Sequence, residues 1–326
     1  MEYKYLIDVN DKKNWLYPIL LTNPDGSKFE DVHFINPGAG RRQMFRVTDS
    51  IFFPSVLGDP AGFYYHEHHA AYETFLWTGG SFDLYVDGKK TTVEPGSLTH
   101  FQPYQAHGFI FNSPSRKMGF FHDFGTGETT LDSALLRHYK PNAKSDPNYP
   151  DSTVILGDHH KREPPSEYME VPAEKVANVR HISRPMAEFK LDGLVMKMIT
   201  ARWENGGLNE MWAAEMEKGF YAEWKPYPTE QEMYYATDGE VKFKVYDQEF
   251  IAYKECIVRI PKYAEHSLTA LTDAVMYDVG GLTRWHAFLL DRQCMKKGDP
   301  ERANNPEVIE NMKNTYGCQI KKIGRV

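Results

Sequence analysis

A short segment of the chain contains side chains that can bind a metal or transfer protons. His66 and His68 are separated by one residue, and Glu73 follows five residues later. Strand side chains alternate between two faces, so His66 and His68 project from the same face. His107, thirty-four residues after Glu73, supplies a third imidazole. Three imidazoles and a carboxylate can hold a divalent transition metal and leave positions for a substrate. The alternative is that these side chains lie on a solvated loop and never meet.

Other histidines of the chain are weaker candidates for this site. His69 is adjacent to His68 and could replace it as a ligand, but the strand alternation directs it to the other face. His100 lies in a separate predicted strand, where a packed or surface position is favoured over a ligand role. The pair His159 and His160 lies in a polar segment, where neighbouring histidines are typically solvated.

The second half of the chain repeats part of the pattern. Glu232 and His266 are again thirty-four residues apart, and each glutamate opens a predicted strand, a Gly-containing turn and a second strand. Internal repetition predicts two copies of one domain. In this alignment Lys225 and Tyr227 occupy the positions of the first two histidines. Because a protonated lysine repels a metal ion, we expect the second copy to have lost the metal and to form a buried polar network.

The composition excludes several classes of protein. The net charge of −7 over 326 residues argues against a nucleic-acid or anionic-membrane surface. The first residues lack the pattern of a signal peptide, and no apolar stretch is long enough to span a bilayer. Three scattered cysteines are too few for a disulfide framework. We therefore expect a cytoplasmic protein with a small-molecule partner and with neither a nucleic acid nor a membrane; a homodimer is compatible with these features.

The strand and turn pattern predicts the fold class. Short strand candidates, separated by turn residues, fill residues 30–125 and 179–281, and Asp87-Gly88 is typical of a hairpin turn. We predict an all-β fold of two tandem jelly-roll β-barrels, with short helical segments and a C-terminal helix. The expected divisions are a first domain with the metal site at 1–140, a connector rich in proline and charge at 141–178, a second domain with a degenerate site at 179–290, and a helical tail at 291–326.

The metal segment resembles a known family. Residues 62–80 and 88–107 resemble the two motifs of cupins, namely His-x-His with a glutamate soon after it, then Pro-Gly and a distal histidine. With two copies, the chain resembles a bicupin. The spacing His-x-His-x4-Glu, followed by Thr-Phe, is similar to the quercetinase (flavonol 2,4-dioxygenase) branch. The resemblance implies two cupin domains, the first with one metal held by His66, His68, Glu73 and His107.

The resemblance also implies an activity. A quercetinase-like dioxygenase would open the ring of a flavonol or related polyhydroxylated enol with O2. Glu73 would be the catalytic residue, either as a permanent ligand or as the general base that deprotonates the bound enol. The cofactor would be one divalent ion in the first domain, and the ligand set accepts Mn, Fe, Co, Ni, Cu or Zn. The residues expected to line the substrate pocket, with the packed core as their alternative position, are Phe75, Trp77, Gln102 and Phe109.

Two other functions fit the same residues. An O2-independent isomerase, decarboxylase or C–C hydrolase acting on a cyclic ketone or keto acid would also begin with a chelated enolate. A non-catalytic cupin that only binds a ligand is the other alternative, since one fold supports many functions. Oxygen consumption separates the first two enzymes, and failure to bind metal after reconstitution favours the non-catalytic protein.

Overall fold

The chain forms two compact units of mainly antiparallel strands. The N-terminal unit comprises Lys12–Arg184, and the C-terminal unit comprises Met1–Asp11 with Pro185–Val326. The predicted all-β fold with two barrels is confirmed. The computed structural model describes residues 5–22, 28–35, 45–54, 65–69, 71–123, 160–206, 210–226, 232–280 and 285–325. The predicted connector is therefore described only from residue 160 onward.

The first strand of the chain, β1 (Leu6–Asp8), belongs to the C-terminal unit. Leu6 pairs with Val258 in an antiparallel register. The first domain expected at 1–140 therefore differs from the structural unit, which begins at Lys12, ends at Arg184 and includes the described end of the connector. A three-residue strand that pairs with a distant partner has no local signal that assigns it to either half.

In the N-terminal unit the described strands form two sheets. The strands are β2 (Trp15–Thr22), β3 (Lys28–Ile35), β4 (Phe45–Phe52), β5 (His66–Glu67), β6 (Ala71–Gly79), β7 (Phe82–Val86), β8 (Lys89–Val93), β9 (Ser97–Phe101), β10 (His107–Phe111), β11 (Ser115–Asp123), β12 (His160–Lys161), β13 (Met169–Glu170) and β14 (Val179–His181). The sheet orders are β12-β5-β10-β7-β8-β13 and β14-β9-β6-β11-β4-β3-β2. Strand β5 thus lies between β10 and β12.

The hairpin of β7 and β8 shows how the sequence builds this unit. Residues of β7 alternate between buried and half-buried, as expected for a strand with one face on a core. Asp87 and Gly88 both have positive φ, 50° and 69°, which the twist of a two-residue hairpin requires. The predicted turn is confirmed. The buried faces of both sheets supply an aromatic core that includes Phe52, Phe75, Trp77, Phe82, Phe101, Phe109 and Phe111.

In the C-terminal unit the described strands again form two sheets, followed by helices. The strands are β15 (Ala187–Leu191), β16 (Leu194–Thr200), β17 (Met211–Met216), β18 (Phe220–Pro226), β19 (Glu232–Asp238), β20 (Val241–Val245), β21 (Gln248–Ala252), β22 (Cys256–Ile260), β23 (His266–Ala270), β24 (Ala274–Gly280) and β25 (Cys318–Arg325). The sheet orders are β1-β22-β19-β24-β17-β16-β15 and β21-β20-β23-β18-β25. The helices are α1 (Trp285–Gly298), α2 (Pro300–Asn304) and α3 (Pro306–Tyr316).

The tail contains the predicted C-terminal helix and an additional strand. Asn305 caps α3 by accepting a hydrogen bond from the Glu307 amide, and Gly317 ends the helix with φ 66°. The chain then continues as β25, which pairs with β18 and was not expected from the sequence. Among the described residues, no helix has both the length and the apolarity needed to cross a membrane.

Candidate metal centre

Strands of both sheets in the N-terminal unit bring the four predicted ligands together. His107, the first residue of β10, lies directly opposite His66 on β5. Glu73 lies on β6 of the other sheet, opposite Phe101. His66, His68, Glu73 and His107 are each at most 4 % exposed, and one ligand atom of each lies within 4.8 Å of the others. The sequence pattern therefore corresponds to one buried cluster.

Hydrogen bonds within the cluster fit a bound cation. His107 Nδ1 lies 2.9 Å from the Gln105 carbonyl oxygen, which can only accept, so Nδ1 carries the proton. In the neutral ring, Nε2 then presents a lone pair to Glu73 Oε2, 2.9 Å away. His68 Nε2 approaches Glu73 Oε1 at 3.0 Å. Lone pairs that face each other need a proton or a metal ion between them. The hydrogen bond to the Gln105 carbonyl also orients the His107 ring, as the outer contacts of metal ligands do.

The charge of Glu73 suits this arrangement. Burial alone would raise the pKa of its carboxyl group, but when protons rather than an ion occupy the cluster, the charge of His68 and the hydrogen bonds of His107 and His68 hold that pKa well below the ordinary value. The carboxylate is therefore ionised at neutral pH. One carboxylate and three neutral imidazoles would leave a divalent ion with a net charge of about +1, which attracts anionic ligands.

Aromatic rings surround the ligands, and of the four residues expected to line a pocket, three are buried and one is exposed. Phe75 and Trp77 are 2 % and 1 % exposed and lie in the barrel core. Phe109 is also buried, with its ring centroid 5.5 Å from that of His107. Gln102 is exposed, in the turn after β9. Phe101, which was not among the sequence candidates, stacks on His107 at 3.8 Å.

This core also contains a buried lysine that was not among the candidates from the sequence. Lys117 lies opposite Trp77 on β11 and is 5 % exposed. Its Nζ lies 3.5 Å from the centroid of the Phe75 ring and 4.8 Å from that of Phe52, the geometry of a cation–π contact. No clear signal in the sequence marks this position, because β11 does not alternate between polar and apolar residues and is buried without a break from Lys117 to Phe120.

A second cluster lies on the outer side of the ligand strand. His69 Nε2 is 2.8 Å from Glu67 Oε1, and the His69 ring stacks between Tyr104 and His160, at 4.4 Å and 3.7 Å. Arg162 Nη2 also donates to Glu67. The alternative that His69 replaces His68 as a ligand is therefore wrong, because His69 is directed to the opposite face of the strand. His160 is half-buried in the stack rather than solvated, and its neighbour in sequence lies outside the described residues.

The acidity of Glu67 follows from this second cluster. The hydrogen bond from Arg162 lowers the pKa of its carboxyl group to about 2, against the opposing effect of burial and with a further contribution from His69.

His100 has the packed position expected from the sequence. It is 2 % exposed, and its Nδ1 lies 2.9 Å from Thr74 Oγ1.

The repeated pair in the C-terminal unit has a different environment. His266 Nε2 lies 3.2 Å from Glu232 Oε2, but the residue opposite His266 is Trp224. Trp224 Nε1 donates to both oxygens of Glu232, at 3.1 Å. Trp224 therefore occupies the place of His66, and the assignment of Lys225 to it is wrong by one residue; Tyr227 lies outside the described residues. An indole has no nitrogen lone pair for a metal.

Helix α1 fills the space beside this pair. Its first residue, Trp285, is 1 % exposed and stacks on Trp224 at 4.7 Å. His286 Nε2 lies 2.8 Å from Glu210 Oε1, and His286 Nδ1 lies 3.6 Å from Asp278. These contacts give the polar network expected for a degenerate site, although through partners that the repeat did not identify.

Comparisons with known proteins agree with this fold. Residues 58–120 match the family described as the cupin domain. No curated protein sequence matches the chain significantly. The structure of an oxalate decarboxylase from Lactobacillus farciminis in complex with formate is 12% identical, with a TM-score of 0.53 over 95% of this chain and 96% of that chain.

A structure of the oxalate decarboxylase from Bacillus subtilis, from work on its Mn(II) centres, gives 13% identity and a TM-score of 0.51 over 99% of this chain and 90% of that chain. A variant of the same enzyme gives the same identity, TM-score and coverage. At this identity the likeness concerns the fold. Residues 58–120 therefore match a cupin domain, and the chain shares the fold of these oxalate decarboxylases.

Proposed function

We propose that the protein is a metal-dependent cupin enzyme that decarboxylates a small keto acid without consuming O2. The observation that carries the proposal is the set of four buried donor atoms within 4.8 Å of one another. The bicupin fold shared with oxalate decarboxylases supports a decarboxylase better than the quercetinase-like dioxygenase indicated by the motif spacing.

The donor set suits a 3-oxo acid with a second carboxylate next to its carbonyl group, such as oxaloacetate. The carbonyl and this adjacent carboxylate would chelate one ion, and the other carboxylate would remain free to leave. The ion, when bound, withdraws electron density through the carbonyl oxygen. As the bond to the carboxyl carbon breaks, CO2 leaves and the electron pair remains on the substrate as an enolate. The substrate carbon that carried the lost carboxyl group must then receive a proton. Glu73 is the carboxyl group within the cluster, so it is our candidate for relaying this proton: its carboxylate would accept a proton from solvent and pass it to that carbon.

The surroundings of the cluster favour an anionic substrate. The ligands are buried, and charges interact more strongly in such a poorly solvated place than in water. Phe101 stacks on His107 and orients its ring. The chain would therefore contribute ligand orientation, exclusion of water and one acid–base group.

A ring-opening dioxygenase remains the second candidate. The rings of Phe101 and Phe109 both flank His107, and such an aromatic wall suits a flat polyhydroxylated ring. Glu73 would then act as the base that removes the enol proton.

An anaerobic assay tests the proposal. Protein reconstituted with Mn(II) is given oxaloacetate, and CO2 release is compared with that of a His107→Ala variant under the same total metal, which corrects for decarboxylation by free ion. Release by the wild type alone, without O2, is the expected result. O2 uptake with quercetin and no CO2 release from oxaloacetate would favour the dioxygenase. Metal binding without either reaction would favour a non-catalytic cupin.

A further inference from the structure

Glu67 is a buried carboxylate between two candidate ligands. It separates His66 from His68, and its side chain lies on the opposite face of the strand. It is 7 % exposed and has two described partners, Arg162 Nη2 and His69 Nε2. A buried carboxylate needs such partners, because an unpaired charge is strongly disfavoured away from water.

The segment that carries Arg162 also completes the sheet beside the ligands. In β12, Lys161 pairs with His66 and His160 pairs with Glu67. The Arg162 amide donates to the Tyr65 carbonyl oxygen at 2.9 Å. Residues 160–162 therefore hold the ligand strand through its backbone as well as through the carboxylate of Glu67.

The opposite side of this strand is held by β10. His66 is paired there with His107, and the Tyr104 amide donates to the His68 carbonyl oxygen at 2.6 Å. The two-residue strand β5 is thus fixed between β10, which supplies the ligand His107, and β12, which is followed directly by Arg162. A change on the Arg162 side would therefore act on the position of this strand relative to His107.

We infer that Arg162 is a positioning residue for the metal centre and acts through Glu67 on His66 and His68. The inference rests on the proposed metal-dependent function, and it adds a determinant of affinity that contacts neither metal nor substrate. Loss of the guanidinium would leave the Glu67 carboxylate buried without its main partner. The strand would then shift to expose that carboxylate, and the donor atoms of His66 and His68 would move with it.

Mn(II) binding followed by electron paramagnetic resonance tests this role. Outer contacts of metal ligands typically contribute about 10–100-fold to metal affinity, so Arg162→Met is expected to raise the Kd for Mn(II) by about that factor. Arg162→Lys keeps the charge and is expected to restore most of the affinity. The visible spectrum of bound Co(II) should change in Arg162→Met and resemble the wild type in Arg162→Lys.

Two further variants make the test specific. Arg184 is a matched control in the same unit, because its side chain is 46% exposed and that of Arg162 is 47% exposed. Arg184 pairs with Glu174 at 3.7 Å. Arg184→Met is expected to leave the Kd for Mn(II) unchanged. Glu67→Gln in the Arg162→Met background removes the charge that has lost its guanidinium partner and should recover affinity and folding. Wild-type affinity and spectrum in Arg162→Met would overturn the inference and leave the proposed function intact. A wild-type protein that binds no divalent ion would overturn the proposed function instead.

Discussion

His107 lies directly opposite His66 on neighbouring antiparallel strands, and the two rings are 4.5 Å apart. At the corresponding place in the C-terminal unit, His266 lies opposite Trp224. The same strand arrangement thus presents two imidazoles in one unit and an imidazole with an indole in the other. The first pair can bind a metal, and the second can only stabilise the neighbouring glutamate.

His107→Ala should remove bound metal, whereas His266→Ala should not. Each substitution removes one imidazole that faces a buried glutamate, so their effects on folding are comparable. We expect metal content after reconstitution to fall from about one ion per chain to near zero only for His107→Ala, because a divalent ion needs most of its ligand set. Inductively coupled plasma mass spectrometry of the dialysed proteins measures this. Equal metal loss in both variants would contradict the assignment.

Glu73→Gln should separate metal binding from turnover. Glutamine retains an oxygen ligand but neither the negative charge nor the capacity to transfer a proton. We expect partial metal occupancy and a loss of kcat of roughly 100-fold or more, in the range ascribed to general acid–base catalysis. Glu232→Gln is the matched control in the other barrel and should leave both quantities unchanged. Full turnover in Glu73→Gln would exclude its role as acid–base group.

Trp285→Ala should destabilise the C-terminal unit. Trp285 is 1 % exposed and stacks on Trp224, so truncation leaves a large cavity. The expected loss in the free energy of unfolding is about 3–5 kcal/mol, measured by urea denaturation. Trp203→Ala is the control, because Trp203 is 72% exposed and its loss should change the stability by at most about 0.5 kcal/mol. Similar effects of the two substitutions would show that α1 does not fill the barrel as described.

Asp278 should make the C-terminal unit less stable as the pH rises. Burial raises the pKa of its carboxyl group from 3.8 to about 6 in the folded state. Between these values the folded protein binds more protons than the unfolded chain, so the free energy of unfolding falls as the pH rises from about 4 to 6. His286 changes the free energy of unfolding with pH in the same direction. Its burial acts in the opposite direction, but Asp278 and Glu210 raise its pKa above 6.5, and its stabilisation is lost as the pH rises through that higher value.

Asp278→Asn tests this effect between pH 4 and 6, below the pKa of His286. The amide has a similar shape and does not titrate, so the stability of the variant relative to the wild type should rise between pH 4 and 6. At 1.36 kcal/mol per pKa unit, the relative change is at most about 3 kcal/mol. Urea denaturation across this range measures the difference. A difference that is independent of pH would show that Asp278 does not titrate as described.

Much of the site could be predicted from local sequence spacing. The alternation of His66 and His68 and the equal intervals from Glu73 and Glu232 to their histidines reflect strand geometry, which leaves a clear pattern. The Asp87-Gly88 turn was predictable for the same reason. The match of Lys225 to His66 was wrong because the two repeats were aligned without gaps. Such an alignment cannot detect that the segment before Glu232 is one residue longer than the segment before Glu73.

The remaining features depend on contacts between distant residues. Arg162 meets Glu67 across 95 residues of chain, and β1 pairs with β22 in the other half of the sequence. Phe75 looked equally suited to a pocket or a core, because a large apolar residue beside a ligand fits both. Long-range pairing and packing, rather than local pattern, decide these positions.

Anomalous diffraction from crystals grown with Mn(II) tests the central claim most directly. We expect a single strong anomalous peak in each chain at the Mn absorption edge, within coordination distance of His66, His68, Glu73 and His107, and none beside Glu232 and His266. Side chains of those four residues directed apart, with no peak between them, would contradict the account.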